Sequence, residues 1–174
     1  TGAGMSGIAR IMLAKSIEVS GSDKNNSQMT IALKALGADI HIGHDAKNIA
    51  NADLVVVSAA IAKSNPEYAA AIAAGIPIAA RATALSWLLS ESRSVAIAGT
   101  HGKTTTTAML TVALQAAGSD PSFAIGGTIN SAGTNAHSGS GDLFVVEADE
   151  SDGSFLAYKP VSYTHLTLPT IYSV

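Results

Sequence analysis

Cysteine is absent from the 174 residues. That excludes disulfides and thiolate-held metals, and it fits a reducing compartment, so a cytoplasmic location is expected. Aromatic side chains make up only 5% of the chain, so the core must be assembled from Ala, Ile, Val and Leu. Charge is also scarce, at 13% against 47% hydrophobic residues, which excludes disorder for the bulk of the chain. Ten Lys and Arg are scattered among thirteen Asp and Glu, so no nucleic-acid partner is expected. Long apolar runs are missing too. The longest candidate, around Tyr68 to Ala84, is interrupted by Gly75, Pro77 and Arg81, so no membrane span is expected. There is no signal peptide, and Thr1 is not an initiator methionine, so the natural start is expected upstream.

What is present is organised around Ile97-Ala98-Gly99-Thr100-His101-Gly102-Lys103-Thr104. The apolar run 94–98 reads as a buried strand. A glycine turn follows, then a helical stretch from Thr104 through Ala117, stopped by Gly118. Strand, glycine turn, Lys-Thr and helix together are the layout of a phosphate-binding loop. Glycines let the backbone approach phosphate oxygens, and the first helix amides point at the anion. Lys103 would reach the outer phosphates, and the Thr104 hydroxyl would bind a bridging Mg2+. The loop is a short variant, because Ile97 stands where the general pattern has its first glycine. The bland alternative is a glycine turn with a solvated lysine.

The chain opens with Gly2-x-Gly4-x-x-Gly7 and apolar residues at helical spacing, the nucleotide-binding turn of a Rossmann-like unit. Such a turn follows a strand, so a first strand is expected to be missing. Ile17–Ser20 reads as the second strand. Asp23 lies about 20 residues after the glycines, where an acid meets a ribose hydroxyl; a helix cap or turn acid is the alternative. Alternation continues through a helix over 27–36, a strand over 39–42, a strand over 53–58 and a helix entered at Asn65-Pro66 and ended by Gly75. A short strand over 76–78 and a helix over 82–90 complete this part. His41 and His44 read as strand-edge or loop histidines. Trp87 reads as core or as an inter-domain contact.

Polarity rises at Glu91-Ser92-Arg93, which places a domain boundary there. The two glycine turns are too far apart for one βαβ unit and are expected to bind different things. Beyond the loop helix, 122–125 reads as a strand and 126–141 as a long polar loop. Leu143–Val146 reads as a buried strand that runs into Glu147, Asp149, Glu150 and Asp152. Carboxylates crowded at the end of a buried strand imply a shared cation, so Glu147 is placed on the same Mg2+ as Thr104; a solvated acidic loop is the alternative. Past Pro160 the composition turns Thr- and Tyr-rich, unlike anything before it.

Five segments in order carry a resemblance to the Mur ligase family of bacterial cell-wall synthesis: 4–9, 19–23, 98–107, 130–136 and 147–152. The resemblance implies an α/β architecture, with a Rossmann-like parallel-sheet domain (1–92) followed by an incomplete P-loop ATP-binding α/β domain (93–160). It implies UDP-N-acetylmuramate, L-alanine and ATP as partners and Mg2+ as cofactor. Gly4, Met5, Ser6 and Gly7 would lie near the diphosphate and Asp23 near the uridine, while Asn130, Thr134 and Asn135 would face the muramyl end. Gly99, Thr100, His101, Gly102, Lys103, Thr104 and Thr105 would hold ATP, with Lys103, Thr104 and Glu147 catalytic and the last two on the metal. Ser151 stands where the peptide-adding recycling member has Tyr, which favours an alanine-adding member. The family's later metal-holding histidine motif and C-terminal domain are not in this sequence. Residues 161–174 resemble translated adapter read-through, so the chain is expected to be a fragment with a non-native tail, inactive alone, and its second half to be the more aggregation-prone. A nucleotide-binding module without chemistry and an NAD-dependent dehydrogenase are the competing readings; the loop at Lys103 argues against the second.

Overall fold

A computed structural model describes residues 2–129, 134–148, 158 and 162–166. The first region contributes α1 (Ala3–Ala14), β1 (Ser20–Asp23), α2 (Gln28–Ala35) and β2 (Asp39–Ile42), then a 3-10 helix over Ala46–Ile49. It continues through β3 (Val55–Val57), α3 (Pro66–Ala74), β4 (Ile78–Ala80) and α4 (Arg81–Leu89). The second contributes β5 (Arg93–Gly99), α5 (Lys103–Ala116), β6 (Ser122–Ile129), β7 (Thr134–His137), β8 (Leu143–Glu147) and β9 (Ser162–Leu166).

Local chemistry explains several boundaries. Helix α3 begins where the Asn65 side chain accepts from the Glu67 and Tyr68 amides with Pro66 at the first turn, and it ends at Gly75 in the left-handed conformation. Helix α2 is capped reciprocally by Ser27 and Thr30. Two strands differ from expectation. β1 starts at Ser20 rather than covering 17–20, and β4 covers 78–80 rather than 76–78. In the latter, Pro77 has no amide to donate, and its carbonyl instead accepts from Val55. The valines of β3 are only partly buried, not covered on both faces.

Parallel pairing dominates. β1 pairs with β2 and β3 with β4, while the five-stranded sheet runs β7-β6-β8-β5-β9. Only β7 is antiparallel to its neighbour. The stretch expected as a loop over 126–141 therefore contains the end of β6 and all of β7. Gly126 and Gly127 hide the strand's alternation, because they present no side chain to read. β9 covers the flank of β5 opposite β8. That pairing uses backbone groups any β-prone sequence supplies, and Thr and Tyr suit a strand.

The core crosses the expected boundary. On one face of the five-stranded sheet, Ala96, Ala98, Phe144 and Val146 pack with Ile8 and Ile11 of α1 and Leu85, Leu88 and Leu89 of α4. On the other face, Phe123, Ile125 and Val145 pack against α5 through Ala108, Leu110 and Leu114. Phe144, Val145 and Val146 thus alternate between two covered faces, as a strand's period of two requires. Helix α5 buries Thr107 and Thr111 at no polar cost: each hydroxyl donates to the carbonyl four residues back, at 2.8 Å. Trp87, expected in the core or between domains, is 49% exposed. It lies off the face of α4 that carries Ala84, Leu85, Leu88 and Leu89.

Candidate functional site

The glycine turn after β5 is shaped by two positive backbone angles, Gly99 at φ 136° and Gly102 at φ 81°. Side-chain-bearing residues rarely adopt either. Gly102 caps α5 in the left-handed conformation with no side-chain hydrogen bond to the helix start, so the first amides of α5 are not capped from there by a side chain. Thr100, His101, Thr104 and Thr105 are exposed around this turn. Lys103 Nζ donates to the Gly99 carbonyl at 2.6 Å, which folds the ammonium into the turn.

Glu147 ends β8 directly beside Ile97 of β5, and the Ala148 amide donates to the Ile97 carbonyl at 2.9 Å. Because β5, β6 and β8 are parallel, Glu147 and the glycine turn share one sheet edge. Gly126 lies against Glu147 and Gly127 against Thr104. A Cβ on Gly126 would lie 2.9 Å from Glu147 Oε2, and one on Gly127 would lie 2.9 Å from Thr104 Cγ2. Glu147 Oε2 accepts from the Gly126 amide at 3.0 Å. Oε1 is buried without a hydrogen-bond partner among the described residues. A buried carboxylate oxygen is costly to leave unpaired unless a cation takes it. The unpaired Glu147 carboxylate oxygen, with the exposed Thr104 against the neighbouring Gly127, offers oxygen donors of the kind a hard ion such as Mg2+ takes.

A cavity of about 400 Å³ is lined by Gly4, Met5, Gly7 and Arg81 together with Gly126 and Glu147. The opening glycine turn thus shares a cavity with Glu147. A second cavity, about 440 Å³, holds Asp23, Asn25, Ser27 and Gln28, and Gly2 lines both. The Asp23 carboxylate also accepts from the Asn25 amide at 3.0 Å, closing a local turn.

Ser6 and Asn135 are placed differently from the expected ligand contacts. Both are buried, and Asn135 Nδ2 donates to Ser6 Oγ at 3.3 Å, so the pair joins α1 to β7. Gly7 belongs to the same junction, since a Cβ there would lie 3.3 Å from Ala136 Cβ. Thr134 Oγ1 donates to the Ala136 carbonyl at 2.9 Å. Asn130 and the acids at 149, 150 and 152 lie outside the described residues.

Sequence reasoning missed Arg81, Gly126 and Gly127. The paired glycines carried a signal, since consecutive Gly inside a strand marks a close approach. Arg81 carried none, because only the fold brings the start of α4 against α1. Sequence reasoning also missed a polar cluster in the first region. Ser22 Oγ donates to Glu67 Oε2 at 2.6 Å, His44 Nδ1 lies 3.2 Å from the same oxygen, and Asn48 Nδ2 donates to Oε1 at 2.7 Å. Burial raises the Glu67 pKa, but the hydrogen bonds from Ser22, Asn48, His44 and the Asp45 amide outweigh it, and the net position is lowered.

Parallel sheets with a lysine-bearing glycine turn and an acid on the same sheet edge are the layout of an α/β fold of the nucleotide-binding type. The model of the Mur ligase family, catalytic domain, matches residues 1–93, and the chain belongs to that family. It is 57% identical over 159 residues to a UDP-N-acetylmuramate–L-alanine ligase of a Nocardioides species, covering 91% of this chain and 36% of the relative. Against the ligase of that name from Saccharopolyspora erythraea it is 58% identical over 163 residues, covering 91% and 33%. The chain thus spans about a third of the length of these relatives. Among solved structures, the UDP-N-acetylmuramate–alanine ligase of Thermotoga maritima superposes with a TM-score of 0.88 at 32% identity, covering 94% of this chain and 39% of that one. A UDP-N-acetylmuramate:L-alanyl-γ-D-glutamyl-meso-diaminopimelate ligase from Neisseria superposes at 0.86 with 33% identity, covering 94% and 56%. No helix among the described residues is long and apolar enough to cross a membrane.

Proposed function

We propose that this chain is the nucleotide-handling part of a cytoplasmic, ATP-dependent ligase that joins L-alanine to the lactyl carboxylate of UDP-N-acetylmuramate in peptidoglycan synthesis. One observation carries the reading: Glu147, whose buried Oε1 has no hydrogen-bond partner among the described residues, shares a sheet edge with the Lys103 loop, and Gly126 and Gly127 lie against Glu147 and Thr104. The names of the relatives at 57% and 58% identity supply the substrate.

In this reading the backbone turn from Gly99 to Gly102, with Thr100, His101 and Thr105 around it, holds the ATP phosphates. Lys103 exchanges its bond to the Gly99 carbonyl for the outer phosphates, where a cation offsets charge on the moving phosphoryl group. Thr104 and Glu147 would hold Mg2+, which would supply further charge neutralisation. The γ-phosphoryl group passes from ATP to a lactyl carboxylate oxygen, leaving ADP and an acyl phosphate. The alanine amine attacks the acyl carbon, a tetrahedral intermediate forms, and inorganic phosphate leaves as the amide is made. Gly4, Met5 and Asp23 lie along the sugar-nucleotide side of the cleft, and Ser6, Gly7 and Asn135 hold that side against β7. Residues 1–92 would be the UDP-sugar domain, 93–160 the start of the ATP domain, and 161–174 a non-native tail.

The test is phosphate release by the whole reading frame from the source DNA. Release that depends on ATP, UDP-N-acetylmuramate and L-alanine, and that Glu147→Ala abolishes, supports the reading. Release with the tripeptide in place of alanine would assign the recycling activity instead. ATP binding by this chain that is indifferent to Mg2+ and to Glu147→Ala would leave a nucleotide-binding module without this chemistry.

A further inference from the structure

We propose that Glu67 is a positioning residue for the uridine end of the nucleotide sugar, acting through Asp23; the inference rests on the sugar-nucleotide reading above. Glu67 is the second residue of α3, where an acid suits the positive end of the helix dipole. Its bonds reach well beyond that helix. The side chain is only 14% exposed, and groups from three other parts of the first region converge on it. Ser22 Oγ of β1 donates to Oε2 at 2.6 Å, and His44 Nδ1, in the turn after β2, lies 3.2 Å from the same oxygen. Asn48 Nδ2 of the 3-10 helix donates to Oε1 at 2.7 Å. The one hydroxyl proton of Ser22 goes to Glu67, so the 2.9 Å contact between Ser22 Oγ and His44 Nδ1 requires the imidazole proton on Nδ1. All three partners then donate, and an ionised carboxylate is the side chain that accepts from all of them.

Two routes run from this carboxylate to Asp23. One is covalent: Asp23 follows Ser22 at the end of β1, and successive strand residues point to opposite faces. Anchoring Ser22 on one face fixes the direction in which Asp23 leaves the other. The second route runs through Asn48. Its Nδ2 also donates to the Gly43 carbonyl at 3.3 Å, and the Gly43 amide donates to the Asp23 carbonyl at 2.8 Å. Gly43 sits at φ 92°, where a side chain would be strained.

Asp23 lines the cavity of about 440 Å³ with Asn25, Ser27 and Gln28; Glu67 is not among the described residues that line it. Glu67 therefore acts by holding Asp23 and not by touching a ligand there. An acid at the end of this strand meets ribose hydroxyls, and a hydrogen bond to a hydroxyl weakens steeply once its geometry is lost. An apolar side chain at 67 would keep the same elements together, but apolar contact is not directional and would not aim the acid.

Calorimetric titration of the chain with UDP and with Mg-ATP tests this. Glu67→Gln keeps the size of the side chain but turns one acceptor oxygen into a donor that faces a donor. It should weaken UDP binding about 10-fold and leave Mg-ATP binding unchanged. In an Asp23→Asn background the same substitution should change UDP affinity less than about 2-fold, because the group it positions is gone. A purely structural brace would not produce that dependence on Asp23. A thermal melt establishes that each variant is folded; should Glu67→Gln not fold, Ser22→Ala, which cuts one route, is read by the same comparisons. Unchanged UDP affinity in a folded variant, an equal loss for Mg-ATP, or the full loss retained in the Asp23→Asn background would overturn the role of Glu67 while leaving the sugar-nucleotide reading intact. A wild-type chain that binds Mg-ATP but not UDP would overturn both.

Discussion

The two regions of this chain are held together differently. After Arg93 the strands are long and covered: β5 is buried along most of its length and β8 on both faces. Before Arg93 the strands are three or four residues long, in two-stranded sheets. Of the exposed large apolar side chains among the described residues, Ile17, Met29, Ile31, Leu36, Ile42, Ile72 and Trp87 lie before Arg93, and only Met109 and Val112 after it. In the second region α1 and α4 cover one face of the five-stranded sheet and β9 flanks β5. The first region has a small apolar cluster of its own around Leu33, Ala38 and Ile40, and adds the polar Glu67 cluster and burial shared with the second. Short strands cannot bury enough side chain to hold a sheet alone.

The sharpest way to break this comparison is Phe144→Ala, in the core both regions share. It should cost about 3–5 kcal/mol and loosen both together, so urea unfolding followed by far-UV dichroism and by Trp87 fluorescence should coincide. Separate transitions would show two independent cores. Asn135→Leu removes the amide that reaches Ser6 across the junction and should cost about 1–3 kcal/mol; a change under about 0.5 kcal/mol would mean that the junction is held by apolar contact alone. Glu67→Gln should cost about 1–2 kcal/mol, felt by Ser22, His44 and Asn48 but not by β5 or β8 in hydrogen exchange.

Acid should reveal the same division. The Glu67 carboxyl is held below its usual range, so its contribution is complete above roughly pH 4 and is lost as pH falls through the lower folded-state value. In the second region, Asp120 is lowered to about 2 by the Ser140 amide, by His137 and by the Ser140 hydroxyl. Its link between the turn after α5 and the turn after β7 should persist to about pH 2 by carboxylate NMR titration, after the Glu67 cluster has begun to loosen. Glu91→Ala, which removes an exposed pair with Lys15 at 3.2 Å, should change stability by less than about 0.5 kcal/mol.

Much of this was legible from residues alone, where the signal is local. The strand over 39–42, the helix between Asn65 and Gly75 and the turn between Gly99 and Gly102 depend on caps, positive-φ glycines and short periodicities that neighbouring residues set. The end of β6 and all of β7 were not legible, because Gly126-Gly127-Thr128 gives no apolar alternation and β7 is polar at Thr134, Asn135 and His137. Ser6 and Asn135 were expected near the ligand only through the family resemblance. Their burial against each other depends on 129 residues of intervening chain returning to one place.

By itself the sequence determined the alternation of strand and helix, the lysine turn and the acid at the end of β8, since each follows from the few residues around it. The tertiary structure alone decided that the opening glycine turn shares a cavity with Glu147, that Gly126 lies against Glu147 and Gly127 against Thr104, and that Arg81 rests on Gly4. These are contacts between elements far apart in the chain, and only the burial of a shared core brings them within a few ångströms.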